Sequence, residues 1–173
     1  KVLSWWPQLL VDAHEMGSDS TFLFSPPRHP FNPHLPAHVK SWMDRFSADQ
    51  AGAFDARGWS YYTRSWNEEF YPGYGSGWAK YLGAVGILFE QAATSGTLVR
   101  QRTGTTLRFG EAVEHHLVGA LANLETLAEN RREILLGWSR SRARAVEQGR
   151  RGRVRAHVLP AGPIWGAVWP TQV

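Results

Sequence analysis

The chain has 173 residues, one domain by length, and is 43% hydrophobic with nine Trp, enough to build a real core. It has no Cys, which excludes disulfides and thiolate metal sites, and no apolar run approaches the roughly 20 residues of a membrane span. The net charge of +4 is uneven: residues 131–155 hold nine Arg against two Glu, so residues 1–130 are slightly acidic.

In chain order, residues 1–8 carry Trp5-Trp6-Pro7 and read as the end of a helix. Residues 9–14 form a short apolar strand that delivers Asp12, His14 and then Glu15 at its C-terminal end, the edge where α/β proteins tend to place their chemistry. Residues 18–37 contain five Pro and read as a long irregular stretch, packed down by Phe22, Phe24 and Phe31. Pro36 suits the first turn of a helix over 35–52, in which Val39, Trp42, Met43 and Phe46 fall at helical spacing. Residues 59–63 have strand character. Residues 71–78, YPGYGSGW, are too rich in Gly for regular structure.

Residues 83–92, GAVGILFEQA, read as a second buried strand that ends in Glu90. Residues 98–108 suggest a hairpin turning near Thr103-Gly104. Residues 110–137 make the clearest helix, with Val113, Leu117, Leu121, Leu124, Leu127 and Leu135 as its apolar stripe. It is expected to run on to about Gln148, with Gly149 as a stop. Residues 154–159 read as a strand. The chain thus divides into a main unit over 1–150 and the start of a further segment over 151–173. It opens at Lys1-Val2 with neither Met nor a signal-peptide pattern, and is expected to be a piece of something longer.

Two apolar strands each end in a group able to do metal or proton chemistry. Without Cys, a metal here must use His and carboxylate ligands. If the strands are neighbours in one sheet, His14 and Glu90 converge. Spacing alone leaves His14 open between a metal ligand, a catalytic base and an ordinary edge residue. Glu15 is expected to face away from His14 because strand side chains alternate. His29, His34 and His38 read as solvated loop or helix histidines, and Arg28 as a surface arginine. Of the adjacent pair, His116 is expected to join the apolar stripe and His115 to face water.

The segments VDAHEMG, FLFSPP, FYPGYGSGW and GAVGILFEQA stand in the order and approximate spacing of one known family. Over roughly residues 5–118 the chain resembles the zinc carboxypeptidases (carboxypeptidase A/T-like metallopeptidases), most closely their bacterial branch. The resemblance implies a mixed β-sheet flanked by helices, an α/β fold, present as a partial catalytic domain. It implies that His14 is the third ligand of a Zn2+ ion and Glu90 the general base toward zinc-activated water. Tyr71 is similar to the family's mobile tyrosine, with Tyr74 a competing candidate. The pocket region implied between the Gly-rich loop and Glu90 holds Trp78, Lys80 and Ala84; Trp78 is taken as substrate-binding, and Lys80 is expected to face solvent. The implied substrate is a peptide.

One departure is plain: none of the seven His is followed by Glu three residues later, so the family's HxxE ligand pair is absent. The resemblance places that pair, and the substrate-binding arginines, upstream on the remainder of the catalytic domain. Two other readings stand beside it. One is an inactive carboxypeptidase-like module that binds or supports. The other, less favoured, is a basic nucleic-acid-binding module carried on 131–155, where only Trp138 interleaves the arginines.

Overall fold

The structure is a computed structural model, and it describes residues 2–154, 156 and 157. It is a mixed α/β arrangement. After a short helix α1 (Val2–Trp5), strand β1 (Leu9–Met16) lies parallel to β3 (Val85–Ala92), and β2 (Phe22–Phe24) lies antiparallel on the other side of β3. The strand order is β1-β3-β2, so the most apolar strand is the central one. A separate hairpin, β4 (Leu98–Arg100) and β5 (Thr106–Arg108), turns through Gly104 at φ +89°.

Alternation along β3 sorts the two faces of the sheet. Val85, Ile87 and Phe89 point into a core shared with Phe22 and Phe24 and with helix α2 (Ala37–Asp55) through Val39, Met43, Phe46 and Phe54. Helix α4 (Phe109–Glu129) completes that layer: a Cβ at Gly119 would come within 3.1 Å of the Phe89 ring, so the helix rests its small residues on the sheet. The opposite face meets helix α3 (Gly75–Tyr81). A Cβ at Gly86 would lie 2.1 Å from the Ser76 carbonyl oxygen, a backbone approach that only glycine permits.

Several expectations need correction. The stretch 18–37 is not wholly irregular, because Phe22–Phe24 form β2 and are fully buried. Residues 59–63 form no strand; Tyr62 makes a single bridge to Leu23. The Gly-rich stretch gives way to helix at Gly75, since Gly73 and Pro72 supply the turn and Trp78 N–H then closes on the Tyr74 carbonyl. The long helix breaks at Asn130 (φ −106°, ψ 15°), and α5 (Arg131–Arg151) starts anew.

Most of the expected apolar stripe is on the wrong face. Val113, Leu117, Leu121, Leu124 and Leu135 are exposed, while Leu127 of that stripe does pack against the core; the buried side of α4 is made of Ala112, Val118, Gly119, Ala122, Asn123 and Thr126. Close approach to Phe89 selects small residues there. Lys80 does not face solvent either. It is fully buried in α3 and ion-paired with buried Glu69. Of the strand expected over 154–159, residues 155, 158 and 159 lie outside the described residues, and 154, 156 and 157 are not in a strand; α5 itself ends at Arg151. No described helix is long and apolar enough to cross a membrane.

Candidate active site

His14 and Glu90 are directly paired residues of the neighbouring parallel strands β1 and β3. Adjacent strands run about 4.8 Å apart and paired side chains leave the sheet on the same face. The imidazole and the carboxyl therefore emerge side by side near the C-terminal ends of both strands. The register that achieves this runs unbroken from Leu9↔Val85 to Met16↔Ala92.

Asp12 joins them. Two residues before His14, it shares the same face, and its Oδ1 lies 2.8 Å from His14 Nε2. A carboxylate can only accept, so Nε2–H donates and Nδ1 of the neutral ring keeps a free lone pair. Carboxylate support of one ring nitrogen, leaving the other to ligate, is how metal-binding histidines are commonly oriented. Asp12 was seen in the sequence only as a strand-end residue. The signal that finds it is the D-x-H spacing, which a strand places on one face.

Glu90 is half-buried. Burial raises its carboxyl above the ordinary range; the neighbouring His14 opposes that shift and the Asp12 carboxylate adds to it. A carboxylate moved toward neutrality takes up and returns protons more readily at physiological pH. Glu15 pairs with Gln91 on the opposite face, where its charge acts on His116 of α4.

The aromatic candidates lie on α3 and the turn before it. Tyr71 and Tyr74 stand edge to face with ring centroids 5.8 Å apart, and both are exposed, as is Trp78. The Tyr74 hydroxyl donates to Glu68 Oε1 at 3.4 Å. Their link to the cluster is Gly75: a Cβ there would lie 2.6 Å from Asp12 Oδ2, so the start of α3 leans on the carboxylate that holds His14. The structure thus brings Asp12, His14 and Glu90 together and sets Tyr71, Tyr74 and Trp78 around the adjoining start of α3.

His29 and His34 are exposed, as expected, whereas three other histidines have structural contacts. His38 Nε2–H donates to the Gly83 carbonyl at 3.0 Å, so this residue is a half-buried joint and not a solvated helix residue. His115 Nδ1–H donates to Gln91 Oε1 at 2.9 Å and its ring packs on Trp59; it does not face water. His116 is half-buried against Phe22 and not on the leucine stripe.

Among the described residues no three His, Asp or Glu side chains are grouped so as to hold a metal ion. The donor set fits one imidazole ligand with its supporting carboxylate and a second carboxylate alongside, a site that needs further ligands from elsewhere. Comparison of the chain with family models, with curated proteins and with solved structures finds no match.

Proposed function

We propose that this chain is the C-terminal part of the catalytic domain of a zinc-dependent carboxypeptidase-like hydrolase, acting on peptide or related amide bonds. The observation that carries the reading is the His14↔Glu90 pairing across β1 and β3, on one face and at one edge. Asp12 on His14 Nε2 and the raised proton affinity of Glu90 support it.

His14 would hold the metal through Nδ1, with two more ligands supplied by the remainder of the domain. When bound, zinc supplies Lewis acidity toward water and the scissile carbonyl. The chain's own residues do the rest. Asp12 fixes the tautomer and orientation of His14. Glu90 accepts the proton of the attacking water on its carboxylate and passes it to the leaving amine nitrogen. Tyr71 or Tyr74 offers a phenol from an exposed position to hydrogen-bond the peptide, and Trp78 gives an apolar surface beside it. Among the described residues β1 has a strand on one side only, and α4 exposes Leu117, Leu121 and Leu124; both suit a sheet that continues into the remainder of the domain.

The test uses the full-length protein. Glu90→Gln should keep stoichiometric zinc, read by elemental mass spectrometry, and lose peptide hydrolysis by about a hundredfold or more. His14→Ala should lose the zinc itself. Full hydrolysis in Glu90→Gln would sink the assignment, and zinc-free wild-type protein would favour an inactive binding module.

A further inference from the structure

A second cleft lies at the other end of the sheet, away from Glu90. Its walls are the loop leading into α2, the turn Tyr81–Gly83 that precedes β3, and the middle of α5. Its volume is about 900 Å3. His34, His38, Arg140 and Arg144 line it, and no Asp or Glu does.

The arginines are placed against their local interest. Arg140 and Arg144 are i,i+4 neighbours on α5, a like-charge spacing that destabilises a helix. Elsewhere this chain balances such positions: Arg45 pairs with Asp49 and Arg151 with Glu147, each four residues apart. Neither Arg140 nor Arg144 has a carboxylate partner among the described residues. Arg142 between them is otherwise engaged, its guanidinium 4.0 Å from the centre of the Trp6 ring and 5.0 Å from that of Trp138.

The frame around the cleft is fixed. His38 is bonded to the Gly83 carbonyl, and a Cβ at Gly137 would lie 3.4 Å from its ring, so α2, the turn and α5 meet in close contact. Ile134 anchors α5 in the core one turn earlier. Leu35, Pro36, Tyr81, Leu82 and Val146 add apolar wall. The space is far larger than a bare ion needs and falls in the range of organic-ligand pockets.

We infer that this cleft binds an organic ligand with a compact oxyanion head on an apolar body, the head held by Arg140 and Arg144 and the body lying along Leu82 and Tyr81. Guanidinium forks pair with phosphate and with carboxylate alike. The site is independent of the hydrolase reading, because it shares no residue with Asp12, His14 and Glu90.

Isothermal titration of the full chain at constant ionic strength tests it, with phenyl phosphate, benzoate and inorganic phosphate as probes. The expected result is saturable one-site binding of phenyl phosphate or benzoate, tighter than that of inorganic phosphate; the better of the two identifies the head group. Arg140→Gln/Arg144→Gln should weaken it by about tenfold or more, since two charge-assisted contacts are lost. Arg150→Gln, on the same helix but outside the cleft, should leave it unchanged. Absence of saturable binding by both organic probes overturns the inference. So does binding that survives the double substitution with circular dichroism unaltered, or that Arg150→Gln weakens equally.

Discussion

Lys80 and Glu69 form the most deeply buried ion pair among the described residues. Burial lowers the Lys80 pKa, and Glu69 opposes that shift. Glu69 Oε1 has no partner of its own, so the pair is the carboxylate's main compensation. Lys80→Met should therefore cost about 3–5 kcal/mol, because it strands a buried carboxylate, whereas Lys80→Met/Glu69→Leu should recover most of the loss. Urea unfolding midpoints of the two variants decide this; equal midpoints for the wild type and the single variant would mean the pair contributes nothing. Histidines set the pH response. Burial holds His38, His115 and His116 below the ordinary value of 6.5. The unfolded chain then binds more protons than the folded one between those depressed values and 6.5. Stability is therefore complete above about pH 6.5 and falls as the pH drops through that window. Glu90 acts in the opposite sense: with its folded value raised above 4.5, its contribution is present below 4.5 and fades as the pH climbs through the folded value. His115→Gln should flatten the loss of melting temperature between pH 7.5 and 5.5, even if it lowers the plateau. An unchanged slope would remove His115 from the acid response.

Among the elements, β1, β3, α2 and the β4–β5 hairpin were legible because each has one dominant local signal: a continuous apolar run, a 3.6-residue period, or a Gly turn between short strands. Three-residue β2 was hidden by its shortness just before a run of prolines, and its burial comes from the sheet, not from its own pattern. Helix α3 was masked by glycines whose purpose is contact. Gly75 and Gly86 lack side chains because Asp12 and the Ser76 carbonyl occupy the space. The C-terminal ends of β1 and β3 could be read, but the register that pairs His14 with Glu90 could not, since no local pattern specifies which residues of two distant strands face each other. Gly86→Ala tests the close packing. Its methyl would meet backbone, which cannot rotate away, so α3 must lift from β3. A loss of at least about 1–3 kcal/mol is expected. If the urea midpoint stays at the wild-type value, α3 is not seated on β3 as described.

At the scale of the molecule, the sheet has an open edge. β1 has eight residues paired to β3, its opposite edge has no partner strand among the described residues, and Val11 on its helix-side face is exposed. On the same side of the sheet, α4 presents Val113, Leu117, Leu121 and Leu124 to solvent. A long unpaired edge beside an apolar helix face is a surface that water does not favour, and chains bearing one associate through it. The chain alone should therefore self-associate as its concentration rises, seen as increasing weight-average mass in sedimentation. Leu117→Lys/Leu121→Lys should hold it monomeric. Because neither side chain contributes to the core, the unfolding free energy should move by no more than about 0.5 kcal/mol per site. A several-fold larger loss would mean that the leucines are core residues and that α4 is rotated from the orientation described. A double variant that associates as strongly as the wild type would shift the burden to the β1 edge. Val11→Lys, which places a charge on that strand, then becomes the change expected to stop it.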